Sequence, residues 1–479
     1  MTEIRQFSED QEAIDVSREL ALMPATELLA NYRTKKLSPV EATQAALARI
    51  AALYGRFNAF CRVDEEGALA AARASEQRWQ RGEAKGLVDG VPTSVKDIVL
   101  AKGWPTLRGS KLISPDQSWD EDAPAVARLR EQGAILLGRT TTPEFGWKGV
   151  TDSPLTGITR NPWNDQVTPG GSSGGAAVAA ATGMGALHIG TDGGGSIRIP
   201  AGFTGIFGFK QSFGRVPAHP LSPFGTLAHI GPMTRTVADG ALMLTVLTQP
   251  DDRDWYALPP DGRHYLDGLE DGVKGLRIAF APTLAKAAVD PEVAAAVAQA
   301  AKVFAALGAK VEEAIPALPD SYEAFARHWF PGAANALRAF TPAQRKLMDP
   351  GLIEIAEAGA ALPLLDYLAA VKEREAMGVT MNLFHRDWDL LLTPTLPIPA
   401  FAAGREVPDG DTKKRWMSWT PFTYPFNLTR QPAATVPCGF TLAGLPIGLQ
   451  IIGTLYDDAR VLRAARAFER ARPWPLPAV

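Results

Sequence analysis

Between Gly170 and Pro200 the chain reads GGSSGGAAVAAATGMGALHIGTDGGGSIRIP, which sets first Ser172 and then Ser196 in glycine-dense loops. Glycines beside a serine allow turns that a side chain forbids, and they leave consecutive N–H groups bare to face an anionic oxygen. Two such loops in one segment suggest a catalytic floor, with either serine a candidate reacting group. Such a hydroxyl needs a base. The six histidines (His188, His219, His229, His264, His328 and His385) show no recognisable partner pattern. His188 reads as a core residue, and neither serine sits in a Gly-x-Ser-x-Gly elbow. Lysine is the other base that activates a serine, once burial makes it neutral. Lys96 lies in the strand-like run Val91–Val99, which would carry it inward; the plain alternative is an edge charge or a snorkelling side chain.

These groups need a rigid frame. Ser38-Pro39-Val40-Glu41 is a capping box with proline at the first helical position, and a second helix is expected from Asp64 to Gln80. After Gly86, short apolar strands (Val91–Val99, Ala134–Leu137, Leu276–Phe280, Leu390–Thr393, Ala433–Val436, Ile447–Ile452) alternate with helices such as Asp122–Gln132. That alternation implies an α/β fold, a central mixed sheet covered by helices on both faces. The chain divides into a helical region (1–85), the first part of the core (86–285), an inserted helical lobe over the pocket (286–387), and a return to the sheet with a final helix (388–479). The stretch Gln166–Thr191 carries no formal charge, but Pro169, its glycines and His188 favour a buried helix between two loops over a membrane span.

Composition narrows the partners. Net charge is −3, from 49 basic and 52 acidic residues, with no long like-charge block, which argues against nucleic acid or an acidic membrane surface. Two cysteines, Cys61 and Cys438, are too few for a disulfide framework or a zinc cluster, so neither metal nor cofactor is expected. The opening MTEIRQFSEDQEAID has no apolar run and predicts no secretory signal, which together with the cysteine usage suggests the cytoplasm.

GVPTSVKD around Lys96, GGSSGG around Ser172 and TDGGGSIRIP around Ser196, in that order, resemble the motifs of the amidase signature family. GRTTTPEF from Gly138, GFK from Gly208, GPM from Gly231 followed by VAD from Val237, and LPIGLQIIG from Leu445 extend the resemblance. It covers about residues 25–250 and 385–470 and leaves the helical lobe unmatched. The resemblance implies that Ser196 is the nucleophile, that Ser172 relays its proton from a cis Gly171–Ser172 peptide, and that an uncharged Lys96 is the base. It also implies an oxyanion hole from the N–H groups of Gly193, Gly194, Gly195 and Ser196. Ser173 and Thr191 would support this network or cap loops, and Asp192 and Arg198 would pair or brace the nucleophile loop. Asp97 counts against a neutral lysine, unless strand alternation turns it to the opposite face.

Two positions depart from the family pattern. Gly193 stands where many members carry a bulkier residue, and Arg430 stands where glycine is common, there to face solvent or to meet an acidic substrate group. The pocket is expected from the variable parts. Phe145, Trp147, Trp329, Phe330 and Phe426 are candidate lining residues, although any one large aromatic is more often core. Their number favours aryl or apolar amides, with carbamates (urethanes) as a related class, taken by a monomer or homodimer. Two rival readings stand beside this. One is the glutaminase-type subunit of a tRNA-dependent amidotransferase. The other is an anion- or nucleotide-binding protein using its glycine loops as nests, against which GGSSGGAA lacks the Lys-Ser/Thr of a P-loop.

Overall fold

A computed structural model describes residues 18–412 and 415–479; the opening run Met1–Asp15 lies outside the described residues. Ser38 Oγ accepts the N–H groups of Val40 and Glu41, Glu41 returns a bond to the Ser38 N–H, and helix Pro39–Phe57 follows. Asp64 caps the next helix, Glu65–Arg81. Between them the structure places a strand where only helix was expected. Phe60–Val63 buries fully only its first residue, so it carries no apolar alternation and is held by its partner strand.

The strands in chain order are β1 (Phe60–Val63), β2 (Pro92–Lys96), β3 (Ile135–Thr140), β4 (Asp152–Ser153), β5 (Gly157–Ile158), β6 (Leu187–Asp192), β7 (Phe207–Lys210), β8 (His229–Thr234), β9 (Arg277–Phe280), β10 (Lys310–Glu313), β11 (Leu390–Pro394), β12 (Ala433–Phe440) and β13 (Pro446–Gly453). β4 and β5 form a separate hairpin, and the other eleven make one mixed sheet in the order β1-β3-β2-β6-β8-β7-β12-β13-β11-β9-β10. Strand alternation divides the core. On β3, Leu136 joins a cluster with helices Pro124–Glu131, Val237–Leu247, Pro291–Ala306 and Asp458–Ala471. Ile135 and Leu137 join the opposite face with helices Pro39–Phe57, Glu65–Arg81 and Gly174–Thr182.

The chain between the two serine loops is a helix followed by a strand, Gly174–Thr182 and then β6, where a single helix was expected. Every residue of that helix is buried, and with only nine residues it is far too short to cross a bilayer. Among the described residues no helix is long and apolar enough to do so. The span 286–387, expected as an inserted helical lobe, also contains sheet: β10 pairs parallel to β9 at the edge. Its sequence, KVEE, is mostly exposed and so shows no strand signature. Helices Tyr322–Leu337, Pro342–Arg345, Pro350–Ala361 and Leu364–Phe384 form the lobe beyond it.

Candidate active site

Lys96 is the last residue of β2, a strand whose five residues are all buried between β3 and β6. Its Nζ lies 2.6 Å from Ser172 Oγ, 2.9 Å from Ser173 Oγ and 2.9 Å from Thr191 Oγ1. Burial pushes this lysine well below its ordinary value, and the opposing influence is the charge of Asp192. Asp97, suspected from sequence of holding the lysine charged, is engaged elsewhere. β2 ends before it, and its carboxylate accepts Arg139 Nε at 2.8 Å and the N–H groups of Leu107 and Gly109. Ser173 Oγ accepts the Thr191 N–H and donates to the Thr191 carbonyl, both at 3.1 Å, so toward Lys96 it is an acceptor. A neutral amine that donates to Ser173 and Thr191 has one lone pair left. In that state the lone pair would face the Ser172 hydroxyl, 2.6 Å away.

Ser172 and Ser173 enter helix Gly174–Thr182, and the Gly171–Ser172 peptide is cis. The second loop runs from β6 into helix Arg198–Thr204 and presents Ser196. The Ser173 N–H donates to the Ser196 carbonyl at 3.1 Å, which fastens the two serine loops together. Asp192 and Arg198 bracket the second loop at its two ends. They form an ion pair of 2.9 Å with both side chains fully buried. Burial alone would raise the Asp192 carboxyl, but Arg198, with Lys210 and Asn427, holds it well below the usual carboxylate range. Arg198 also donates to the Thr423 carbonyl, Gln450 Oε1 and Asn427 Oδ1, so two distant segments, that of Thr423 and Asn427 and the strand of Gln450, set the loop.

Of the four N–H groups expected to meet an oxyanion, one is already engaged. The Gly195 N–H donates to Asp192 Oδ1 at 2.8 Å and is thereby taken. Among the described residues, no hydrogen bond engages the N–H of Gly193, Gly194 or Ser196, so these three remain to face a ligand. Gly195 itself has φ +130, and a Cβ there would meet Thr423 Oγ1 at 2.5 Å. Gly193 is equally constrained. A Cβ on it would lie 2.8 Å from the Trp329 ring, which fills that room while stacking on Phe224 with centroids 3.5 Å apart. Gly193→Ala is therefore expected to lower kcat by at least about tenfold by displacing the loop. Trp329→Leu in the same chain should recover part of that loss. A double-mutant cycle in kcat checks the pair, and strict additivity would contradict the contact.

Ser172, Thr191, Gly193 and Ser196 open into one cavity of ≈ 1160 Å³, its open mouth included. Of the five aromatic candidates, Phe145 and Trp329 line it. Trp147 and Phe426 are buried in the core beneath the lobe, and Phe330 packs half-buried against that same core. Much of the wall was not foreseen. It comes from the segment between β7 and β8, including Phe213, Val216, Leu221 and Phe224, and from Asp254 and Tyr256. The available signal was the proline-dense run VPAHPLSPFG from Val216 to Gly225, a loop too rich in turn residues to be plain sheet. Arg430 has φ 70 and lays its guanidinium 4.9 Å over the Phe213 ring.

A buried lysine on a serine hydroxyl, beside a second serine on a loop with bare N–H groups, has the parts of a serine-based acyl-transfer enzyme that works without histidine. The description "Amidase" matches residues 41–462, and the chain belongs to the amidase family, that of the amidase signature hydrolases. It is 38% identical over 459 residues to an acylamidase of Rhodococcus erythropolis, covering 94% of this chain and 96% of that protein. It is also 38% identical over 474 residues to a glutamyl-tRNA(Gln) amidotransferase subunit of Myxococcus xanthus (strain DK1622), covering 93% of this chain and 96% of that protein. A solved bacterial aryl acylamidase of the amidase signature family superposes with TM-score 0.89 at 32% identity, covering 94% of this chain and 96% of that one.

Proposed function

We propose that this amidase hydrolyses aryl or apolar amides, and carbamates of similar shape, through an acyl-enzyme on Ser196. The observation that carries the reading is the join between the Lys96–Ser172 pair and a cavity walled by Ile98, Phe145, Val216, Phe224 and Trp329. The Ser196 hydroxyl passes its proton to Ser172 as the Ser172 proton moves to neutral Lys96, and Ser196 Oγ attacks the carbonyl carbon. The oxygen turned anionic meets the N–H groups of Gly193, Gly194 and Ser196. One such donor typically contributes about 3–4 kcal/mol to the transition state. Collapse breaks the C–N bond, and the departing amine takes the proton back from Lys96 through Ser172. Water then repeats the attack on the ester and releases the acid.

The similarity to an amidotransferase component leaves glutamine as the competing substrate, so the test is a panel. Acetanilide, an aryl carbamate, a short aliphatic amide and glutamine are assayed for released amine or ammonia. The aryl substrates are expected to give kcat/KM at least about tenfold above the aliphatic amide, since burying a ring in an apolar cavity is worth a few kcal/mol. Turnover of glutamine with the aryl substrates inert would overturn the reading.

A further inference from the structure

We propose that Arg108 recognises an anion in this cavity, so that the preferred amides carry a carboxylate; this deepens the proposed amidase function and rests on it. The backbone at Arg108 is fixed from both sides. The Leu107 and Gly109 N–H groups both donate to the Asp97 carboxylate, and Arg108 itself takes the left-handed conformation with φ 57. Its carbonyl accepts the Phe145 N–H at 2.8 Å. The next residue, Gly146, packs so closely on the relay serine that a Cβ there would sit 3.4 Å from Ser172 Oγ. Arg108 is thus rooted beside the reacting groups, and its side chain lines the same cavity as Ser172 and Ser196.

The one carboxylate on that wall is already engaged. Asp254 accepts the N–H groups of Ala218 and Tyr256, one on each oxygen and each at 2.8 Å. His219 Nε2 lies 3.3 Å from Glu121 Oε1, and His229 Nδ1 lies against the carbonyls of Asp192 and Leu227. The Arg108 guanidinium has no side-chain hydrogen bond or ion pair among the described residues. The acidic group whose charge reaches it, Asp97, is already committed to Arg139. Burial pushes Arg108 below its ordinary value, the direction expected of a cation drawn from water without a close counter-charge. A planar guanidinium in a largely apolar cavity matches a carboxylate through two parallel N–H bonds. The wall therefore offers a ring-sized apolar space with one cationic end.

The test compares 4-acetamidobenzoate with acetanilide, which share the bond to be broken and differ in the carboxylate. The ratio of their kcat/KM values is expected to fall at least about tenfold in Arg108→Met and to be partly restored in Arg108→Lys, which keeps the charge and loses the fork. A ratio that does not move in Arg108→Met overturns the proposal. Binding of benzoate and of benzamide to Ser196→Ala, with and without Arg108→Met, decides the same point by calorimetry without turnover. Loss of benzoate affinity alone supports the anion site, and equal loss of both ligands assigns Arg108 a merely structural part. Should wild type leave acetanilide intact, the aryl-amide reading fails while the benzoate measurement still decides Arg108.

Discussion

Changing Ser196 to alanine is expected to lower kcat by at least about 10⁴-fold while the protein stays folded, the scale on which a lost nucleophile is felt in serine hydrolases. The two halves of that expectation come from the same geometry. Ser196 is only 4% exposed, yet its Oγ enters no hydrogen bond with any described residue. Removing that oxygen therefore orphans no partner. The loop is held instead by the Asp192–Arg198 pair and by the Ser173 N–H on the Ser196 carbonyl. The thermal midpoint should stay within about 1 °C of wild type, about what a 1 kcal/mol change would produce in a chain of this length. Release of aniline from acetanilide, read beside a thermal melt, checks both halves. A slow carbamate should add its acyl mass to the peptide bearing Ser196 in wild type and not in the variant. Activity near wild type, or an adduct on another residue, would move the nucleophile.

The proposed reacting groups stood out because their signals are local. A lysine in an apolar run and serines flanked by glycines announce burial and bare backbone within a few residues of themselves. The brace on Asp192 was only half readable. Arg198 stands beside it in sequence, whereas Thr423, Asn427 and Gln450 reach it only through the fold. The sheet shows the same division. β3, β11 and β13 are apolar runs and were expected, while β7 (FGFK) and β8 (HIGPMT) mix glycine, proline and polar residues and owe their pairing to neighbours. The pocket was least readable. Trp147 and Trp329 are equally large and both nearly fully buried, but only Trp329 turns toward the cavity, where Gly193 leaves it room. An aromatic side chain states that it will be buried, and the tertiary packing alone decides against what.

Lys96→Met should separate function from stability, with activity falling by at least about 10³-fold and the pH dependence of folding changing shape. In the folded protein burial pushes Lys96 well below its ordinary value, and the Asp192 charge that opposes this is shared with Arg198. The unfolded chain carries the same lysine at about 10.4. Between those two values the unfolded state binds one more proton than the folded state, so wild-type stability rises with pH by about 1.4 kcal/mol per unit across that window. The variant has no such proton to take up. Its loss of contacts with the Ser172, Ser173 and Thr191 hydroxyls shifts its stability by an amount independent of pH. The difference, variant minus wild type, should therefore be largest at the acid end and shrink as pH rises, measured by denaturant unfolding at a series of pH values. In the wild type kcat/KM should climb with pH through the folded value of Lys96, because only the neutral amine accepts the Ser172 proton. Parallel stability curves for the two proteins would mean that Lys96 is charged in the fold, and the base would then have to be sought elsewhere.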